Sequence, residues 1–220
     1  KMQIPVVVDN TFATPLLQRP LKLGATLSLT STTKYINGHS DALGGAVCTE
    51  SSAWRDKLNF AQKALGLNPS PFDCWLITRG IKTLPLRLER QVKNAFEIAN
   101  QLATNPLIEC VRYPFRNDHP QSELAKKQML SGGAIVTASI KANKKTTYSF
   151  CKSLHFFKMA ESLGGIESLV CHPATMTHAS VPRETKLKIG ITDSLIRFSV
   201  GCEDIDDLIA DLNQAFEKIS

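Results

Sequence analysis

The sequence has no apolar run approaching the length of a membrane span, no low-complexity tract and no internal repeat. The first absence excludes a helical membrane protein, and the others leave an ordinary globular chain with one large or two modest domains. Paired cysteines at metal-type spacing are also lacking: Cys48, Cys74, Cys110, Cys151, Cys171 and Cys202 are scattered, which excludes the sequence-local zinc motifs and fits thiols in a reducing compartment. Basic residues outnumber acidic ones by 26 to 20, yet they form only short clusters such as Lys144 and Lys145, with no interleaved aromatics. That pattern excludes a nucleic-acid footprint and suits a mildly basic protein that handles anionic metabolites. The first residues show no signal-peptide architecture, so a cytoplasmic placement is expected.

What is present centres on S-T-T-K-Y-I-N-G-H-S-D, residues 31–41. Lys34 follows three hydroxyl residues and precedes Gly38, His39, Ser40 and Asp41, a composition that suits neither core nor linker. Upstream, V-V-V-D-N-T-F-A-T-P reads as a buried parallel strand whose carboxyl end carries Asp9. Open α/β sheets bind ligands beyond such strand ends. The 25 residues from Asp9 to Lys34 hold one crossover, at about 16–24, and a second strand, A-T-L-S-L-T, that delivers Ser31 and Lys34 beside Asp9. Several cofactors use a lysine, but the combination with hydroxyls and an acid one strand away suits pyridoxal phosphate. The amine forms a Schiff base, the hydroxyls bind phosphate and the acid keeps the ring nitrogen protonated.

Beyond the lysine, A-L-G-G-A-V-C-T reads as a strand or turn that closes the sheet, and residues 52–65 as a helix ended by G-L-N-P-S-P. An amphipathic stretch follows from Asp73 to about Thr104, with Pro85 expected to bend or interrupt it, and such a helix typically joins two domains. After Asn105 the pattern gives a short strand within T-N-P-L-I-E-C-V-R-Y-P and a helix over 122–129. A strand A-I-V-T-A-S-I-K, a helix over about 146–153, a short strand H-F-F-K-M-A and an alternating strand S-L-I-R-F-S-V-G follow. A final amphipathic helix carries acids in its first turn. The mixture predicts a small α+β domain with helices on one face of a mainly antiparallel sheet. Trp75, Phe156 and Phe157 are expected in the core.

Five segments then carry a resemblance: V-V-D-N-T-F-A-T-P, S-T-T-K-Y-I-N-G-H-S-D, A-E-S-L-G-G-I-E-S-L, H-P-A-T-M-T-H-A-S and G-I-T-D-S-L-I-R-F-S-V-G, in this order from Val6 to Gly201. Together they resemble the Cys/Met-metabolism family of pyridoxal-phosphate enzymes, which includes cystathionine gamma-synthases, gamma-lyases and beta-lyases and the sulfhydrylases. The resemblance implies an α/β fold-type I transferase. Residues 1–104 would be the C-terminal part of the cofactor-binding large domain, with its mixed or parallel sheet and linking helix, and 105–220 the small C-terminal α+β domain. It implies that Lys34 is the Schiff-base lysine and proton shuttle, and that Asp9 pairs with the pyridinium nitrogen. Ser31 and Thr33 would bind the phosphate, and Thr11 would pack near the ring. Arg197 would grip the substrate α-carboxylate, with Ser162 in the same pocket; on its own, Arg197 on an alternating strand reads as a surface ion pair. Glu161, just before S-L-G-G, would meet the distal ammonium of cystathionine and points to the gamma branch, in either the synthase or the lyase direction. A beta-lyase or an O-acetylhomoserine sulfhydrylase is the alternative within the family. Cystathionine, activated homoserine and cysteine are the implied substrates, and a dimer of dimers the implied assembly, with no metal, nucleic acid or membrane involved.

His172 and His178 beside Cys171 fit no zinc spacing and read better as pocket-lining or capping groups; His39 reads as a structural hydrogen-bonder, and Gly164 and Gly165 as a tight turn. A strand of buried, central composition that starts after four residues is expected to belong to the C-terminal part of something longer. The family's first half would supply a Gly-rich phosphate turn, a tyrosine stacked on the ring, an asparagine near the ring hydroxyl and a tyrosine-arginine pair that reaches the neighbouring subunit. Nothing in these residues substitutes for them, which leaves a catalytically silent fragment as the competing expectation.

Overall fold

The computed structural model of the chain describes residues 4–219. Two sheets are joined by helices. The first has three strands, β1 (Val7–Asp9), β2 (Leu27–Ser31) and β3 (Gly45–Cys48). Strand β1 runs parallel to β2 with Asp9 opposite Leu29, and β3 is antiparallel to β2. Between β1 and β2 the crossover is compact: helix α1 (Thr14–Leu17), then a 3-10 turn over Pro20–Leu23 closed by Gly24. A single π-helical turn, Thr32–Ile36, leaves the end of β2, with Lys34 in a non-helical conformation inside it.

Helix α2 (Ser52–Leu65) is capped by the Ser51 hydroxyl and stopped by left-handed Gly66. Helix α3 (Pro71–Ile81) starts at Ser70, whose hydroxyl accepts the Asp73 N–H at 3.0 Å and donates to the Asp73 carboxylate at 2.8 Å. The long helix α4 (Leu84–Thr104) is separate from α3. The stretch is thus interrupted at Pro85 as expected, with the break at Lys82 and Thr83 just before it, and Pro85 itself stands in the first turn of α4, where a missing N–H costs nothing.

The second sheet has the order β4-β5-β8-β7-β6, from β4 (Ile108–Arg112), β5 (Ile135–Ile140), β6 (Lys158–Met159), β7 (Leu169–Cys171) and β8 (Leu195–Ser199). Only the β6–β7 pair is parallel. Helices α5 (Ser122–Gln128), α6 (Lys144–Ser153), α7 (Arg183–Lys188) and α8 (Ile205–Glu217) complete the chain. Helix α4 lies against β4 and β5, while α8 packs on α4 and α6. The core they enclose holds Val136, Phe150, Phe157, Ile196, Phe198 and Leu208.

Three expectations are corrected. Strand β1 is not buried on both faces within this chain: Val7 is 56% exposed, and among the described residues β2 is the strand that pairs with β1. Trp75 and Phe156 are 59% and 43% exposed, so of the three aromatics only Phe157 is core. The segment H-F-F-K-M-A contributes just two strand residues, because Asp211 of α8 accepts the N–H groups of His155, Phe156 and Phe157 and holds that stretch as a loop.

Candidate active site

The end of β1 and the end of β2 meet as the crossover spacing predicts. Asp9 Oδ1 accepts the Thr11 N–H at 2.9 Å, and Thr11 Oγ1 accepts the Ser31 N–H at 2.8 Å. A chain of two hydrogen bonds thus runs from the acid to the start of the lysine turn. The Ser31 hydroxyl makes no hydrogen bond among the described residues and is free to donate. Thr33 differs: its hydroxyl accepts the Gly44 N–H at 3.0 Å and donates to the Gly44 carbonyl at 3.3 Å. To donate to a phosphate it must give up that second, longer bond.

Lys34 Nζ donates to Ser162 Oγ at 3.2 Å, a contact that joins the first sheet to the loop between β6 and β7. Burial, and secondarily the Arg197 charge, hold the Lys34 amine below the usual lysine range. A larger fraction of it is therefore the neutral, nucleophilic form at any given pH.

Arg197 sits at the middle of β8, opposite Thr137 of β5 and Cys171 of β7. Its Nη2 donates to the carbonyls of Glu161 at 2.7 Å and Ser162 at 3.1 Å, while its buried Nε–H has no partner among the described residues. A buried guanidinium N–H without an acceptor is costly unless a ligand completes it. Glu161 is exposed, and it is its carbonyl that touches Arg197; its carboxylate makes no bond among the described residues. Gly164, at φ +78°, lets this loop lie on the lysine turn, since a Cβ there would come within 2.8 Å of the Tyr35 nitrogen.

Beside Thr33 and Ser162 opens a cavity of 620 Å³ whose charged lining residues are all acids, Asp41, Asp73 and Glu167. Asp41 and Glu167 lie within two of the five family-like segments and Asp73 lies outside them, and only the fold brings the three together. His39 Nδ1 bonds the Asn37 carbonyl at 2.7 Å, and buried His172 bonds the Thr175 hydroxyl and the Asp193 carbonyl. Among the described residues, no group of three or more His, Cys, Asp or Glu is placed to hold a metal ion. Nor is any described helix long and apolar enough to cross a membrane.

The donor set fits pyridoxal phosphate: a primary amine of lowered basicity, a free hydroxyl, a carboxylate at the neighbouring strand end and an arginine with an unused N–H. The family model described as Cys/Met metabolism PLP-dependent enzyme matches residues 1–217. The chain belongs to this family of pyridoxal-phosphate-dependent enzymes. It is 50% identical over 213 residues to a cystathionine gamma-lyase of Dictyostelium discoideum, covering 97% of this chain and 55% of that protein. It is 48% identical over 212 residues to a cystathionine beta-lyase of Lactococcus lactis, covering 96% and 56%. Its fold superposes, with a TM-score of 0.96 and 42% identity, on the crystal structure of cystathionine gamma synthase from Xanthomonas oryzae pv. oryzae in complex with aminoacrylate and cysteine, covering 99% of this chain and 56% of that one. The chain thus spans about half the length of the curated relatives it matches.

Proposed function

We propose that the protein is a pyridoxal-phosphate enzyme of sulfur amino-acid metabolism acting at the γ carbon, a cystathionine gamma-lyase or gamma-synthase. The observation that carries this reading is the convergence of Lys34 and Arg197 on one residue: the amine reaches the Ser162 hydroxyl, and the guanidinium holds the Ser162 carbonyl. A base and a carboxylate-binding cation held this way frame the α carbon of an amino acid.

When bound, pyridoxal phosphate supplies an electron sink for the charge left at that carbon. Lys34 Nζ takes the α proton and carries it to its next acceptor, a role suited to an amine kept partly neutral by burial. Arg197 receives the α-carboxylate through its spare Nε–H, which aligns the α C–H bond with Lys34. Asp9 favours a protonated ring nitrogen, Thr11 holds the ring-side ends of β1 and β2 together, and Ser31, assisted by Thr33, donates to the phosphate. The acid-lined cavity takes the distal ammonium of cystathionine; Glu161, between the lining residues Ala160 and Ser162, adds a fourth carboxylate at its mouth.

The same reading divides the chain into 1–104, part of the cofactor-binding domain, and 105–220, the small α+β domain, and places the protein in the cytoplasm as a dimer of dimers. Six free thiols support the compartment, and the exposed apolar side chains of α2 and α3 support burial against further polypeptide.

Incubation with pyridoxal phosphate, borohydride reduction and peptide mass mapping is expected to mark Lys34, with no label in Lys34→Ala. Cystathionine is then expected to yield 2-oxobutanoate, or, in the synthase direction, to form from activated homoserine and cysteine. Pyruvate would instead assign a beta-lyase, the activity named for the Lactococcus lactis relative. Failure to mark Lys34 overturns the reading.

A further inference from the structure

Helix α4 is amphipathic, yet three polar residues lie on its buried side: Arg87, Gln91 and Asn94. Their spacing of four and three residues puts them on one stripe. Each donates to backbone carbonyls of a different loop. Arg87 Nη1 bonds the Tyr35 carbonyl at 3.0 Å; Nη2 bonds those of Ile36 at 3.3 Å and Gly80 at 2.9 Å; and Nε bonds Thr83 Oγ1 at 3.1 Å. Gln91 Nε2 bonds the Gly165 carbonyl at 2.5 Å, and Asn94 Nδ2 those of Gly201 at 3.1 Å and Glu203 at 2.9 Å. The three loops follow Lys34, Ser162 and Arg197 in turn. They are also stitched to one another, through Ile166 N–H to the Gly38 carbonyl and Cys202 N–H to the Ile166 carbonyl.

Arg87 stands apart within the stripe. It is a buried cation with no carboxylate partner among its hydrogen bonds, and burial lowers its pKa from the ordinary arginine value. A cation placed there for stability alone is poorly economical, since its desolvation is offset only by neutral acceptors. Two of those acceptors are the carbonyls immediately after Lys34, in the turn where Lys34 departs from helical geometry. The planar fork spans both carbonyls and a third from α3, a geometry an ammonium cannot reproduce. Gly38, at φ +72°, lies so close that a Cβ there would strike the guanidinium.

We propose that Arg87 is a positioning residue for Lys34: by clamping the Tyr35 and Ile36 carbonyls it fixes the lysine turn and aims the amine at Ser162, while Gln91 and Asn94 hold the two partner loops to the same helix. The consequence for catalysis rests on the reading of Lys34 as the cofactor lysine.

The test reads Lys34 directly, without turnover. Competitive acetylation of the intact protein, stripped of cofactor, with peptide mass quantification across pH, gives the midpoint at which the Lys34 amine becomes reactive. Arg87→Met is expected to move that midpoint to higher pH, because a released turn exposes the amine to water. Arg87→Lys should move it less, and Asn94→Leu, which loosens only the Gly201 loop, should leave it in place. Where Arg87→Met does not fold, Thr83→Ala removes the Nε acceptor, together with the Thr83 hydroxyl's bond to the Gly80 carbonyl, and carries the same readout. An unmoved midpoint in the folded Arg87 or Thr83 variant, or an equal shift in Asn94→Leu at matched stability, overturns the proposal and makes Arg87 a packing element. Borohydride labelling of the wild type separates this outcome from a wrong assignment of Lys34.

Discussion

The two sheets of this chain differ in how far they finish their own burial. Strands β5, β7 and β8 are buried along most of their length, and Phe198 of β8, 1% exposed, packs edge to face on Phe157 with ring centroids 5.2 Å apart. Strands β1 and β3 have no fully buried residue, and neither has α2, on which Phe60 is 74% exposed. Yet each region supplies candidate site residues, Lys34 and Asp9 from the open one, Arg197 and Ser162 from the closed one. Within this chain the strand ends that carry Asp9 and Lys34 are held together although β1 and β3 are open. In the open region their placement comes from hydrogen bonds, Asp9 to Thr11 to Ser31 and the Arg87 clamp, together with the burial of Tyr35 and Ile36 in the core.

The sharpest way to break this contrast is by truncation. Phe198→Ala should cost about 3–5 kcal/mol in urea unfolding, as for buried aromatics, while Phe60→Ser stays within about 0.5 kcal/mol. A Phe60→Ser cost above about 1 kcal/mol would mean that α2 is covered in the intact protein. Next in size is Asp211→Ala, which leaves the N–H groups of residues 155–157 without their acceptor. It should cost about 2–4 kcal/mol by the same measurement, and Asp211→Asn less. In the open region the effects fall on cofactor rather than on stability. Ser31→Ala should weaken pyridoxal phosphate binding about tenfold in a fluorescence titration, and Thr33→Ala about threefold, because the Thr33 hydroxyl is already shared with Gly44.

Smaller still is a pH effect. The lowered Lys34 pKa means that the unfolded state holds more protons between the folded and ordinary lysine values. Stability therefore rises with pH through that window, and Lys34→Met should flatten the rise. Arg197→Met should move the Lys34 reactivity midpoint up only part of the way to the ordinary value, since burial is the larger cause. Last, a thiol reagent should modify exposed Cys48, Cys74 and Cys110 quickly while Cys151, buried and pushed up to about 12, stays unmodified until the chain unfolds.

Much of this was legible in the sequence. The β-branched run ending in Asp9, the 25-residue interval and the hydroxyl cluster predicted that acid and lysine ends would meet, and the parallel β1–β2 register brings them there. The alternating S-L-I-R-F-S-V-G and the terminal helix were readable from period alone. Strand β7 and helix α7 were not: three and six residues carry too little periodicity to read. The break at Pro85 was readable, because a proline at that place in a helical stretch forces an end or a start, and the structure puts Pro85 at the start of α4. The exposure of Trp75 was missed because residue type reports a preference for burial and not the neighbours that provide it. Arg87, Gln91 and Asn94 did leave a trace, as polar residues on the apolar stripe of Leu84, Leu88, Ala95 and Ile98, but only the fold names the carbonyls they reach.

The Lys34 to Ser162 bond spans 128 residues of sequence. A contact that distant closes after the local turns and helices, since the chain must lose most of its conformational freedom before its two ends can meet. On a ribosome, the lysine emerges long before its hydroxyl partner and before the burial and, secondarily, the Arg197 charge that lower its pKa. The larger neutral fraction of the Lys34 amine is thus acquired late, when the second sheet docks on the first.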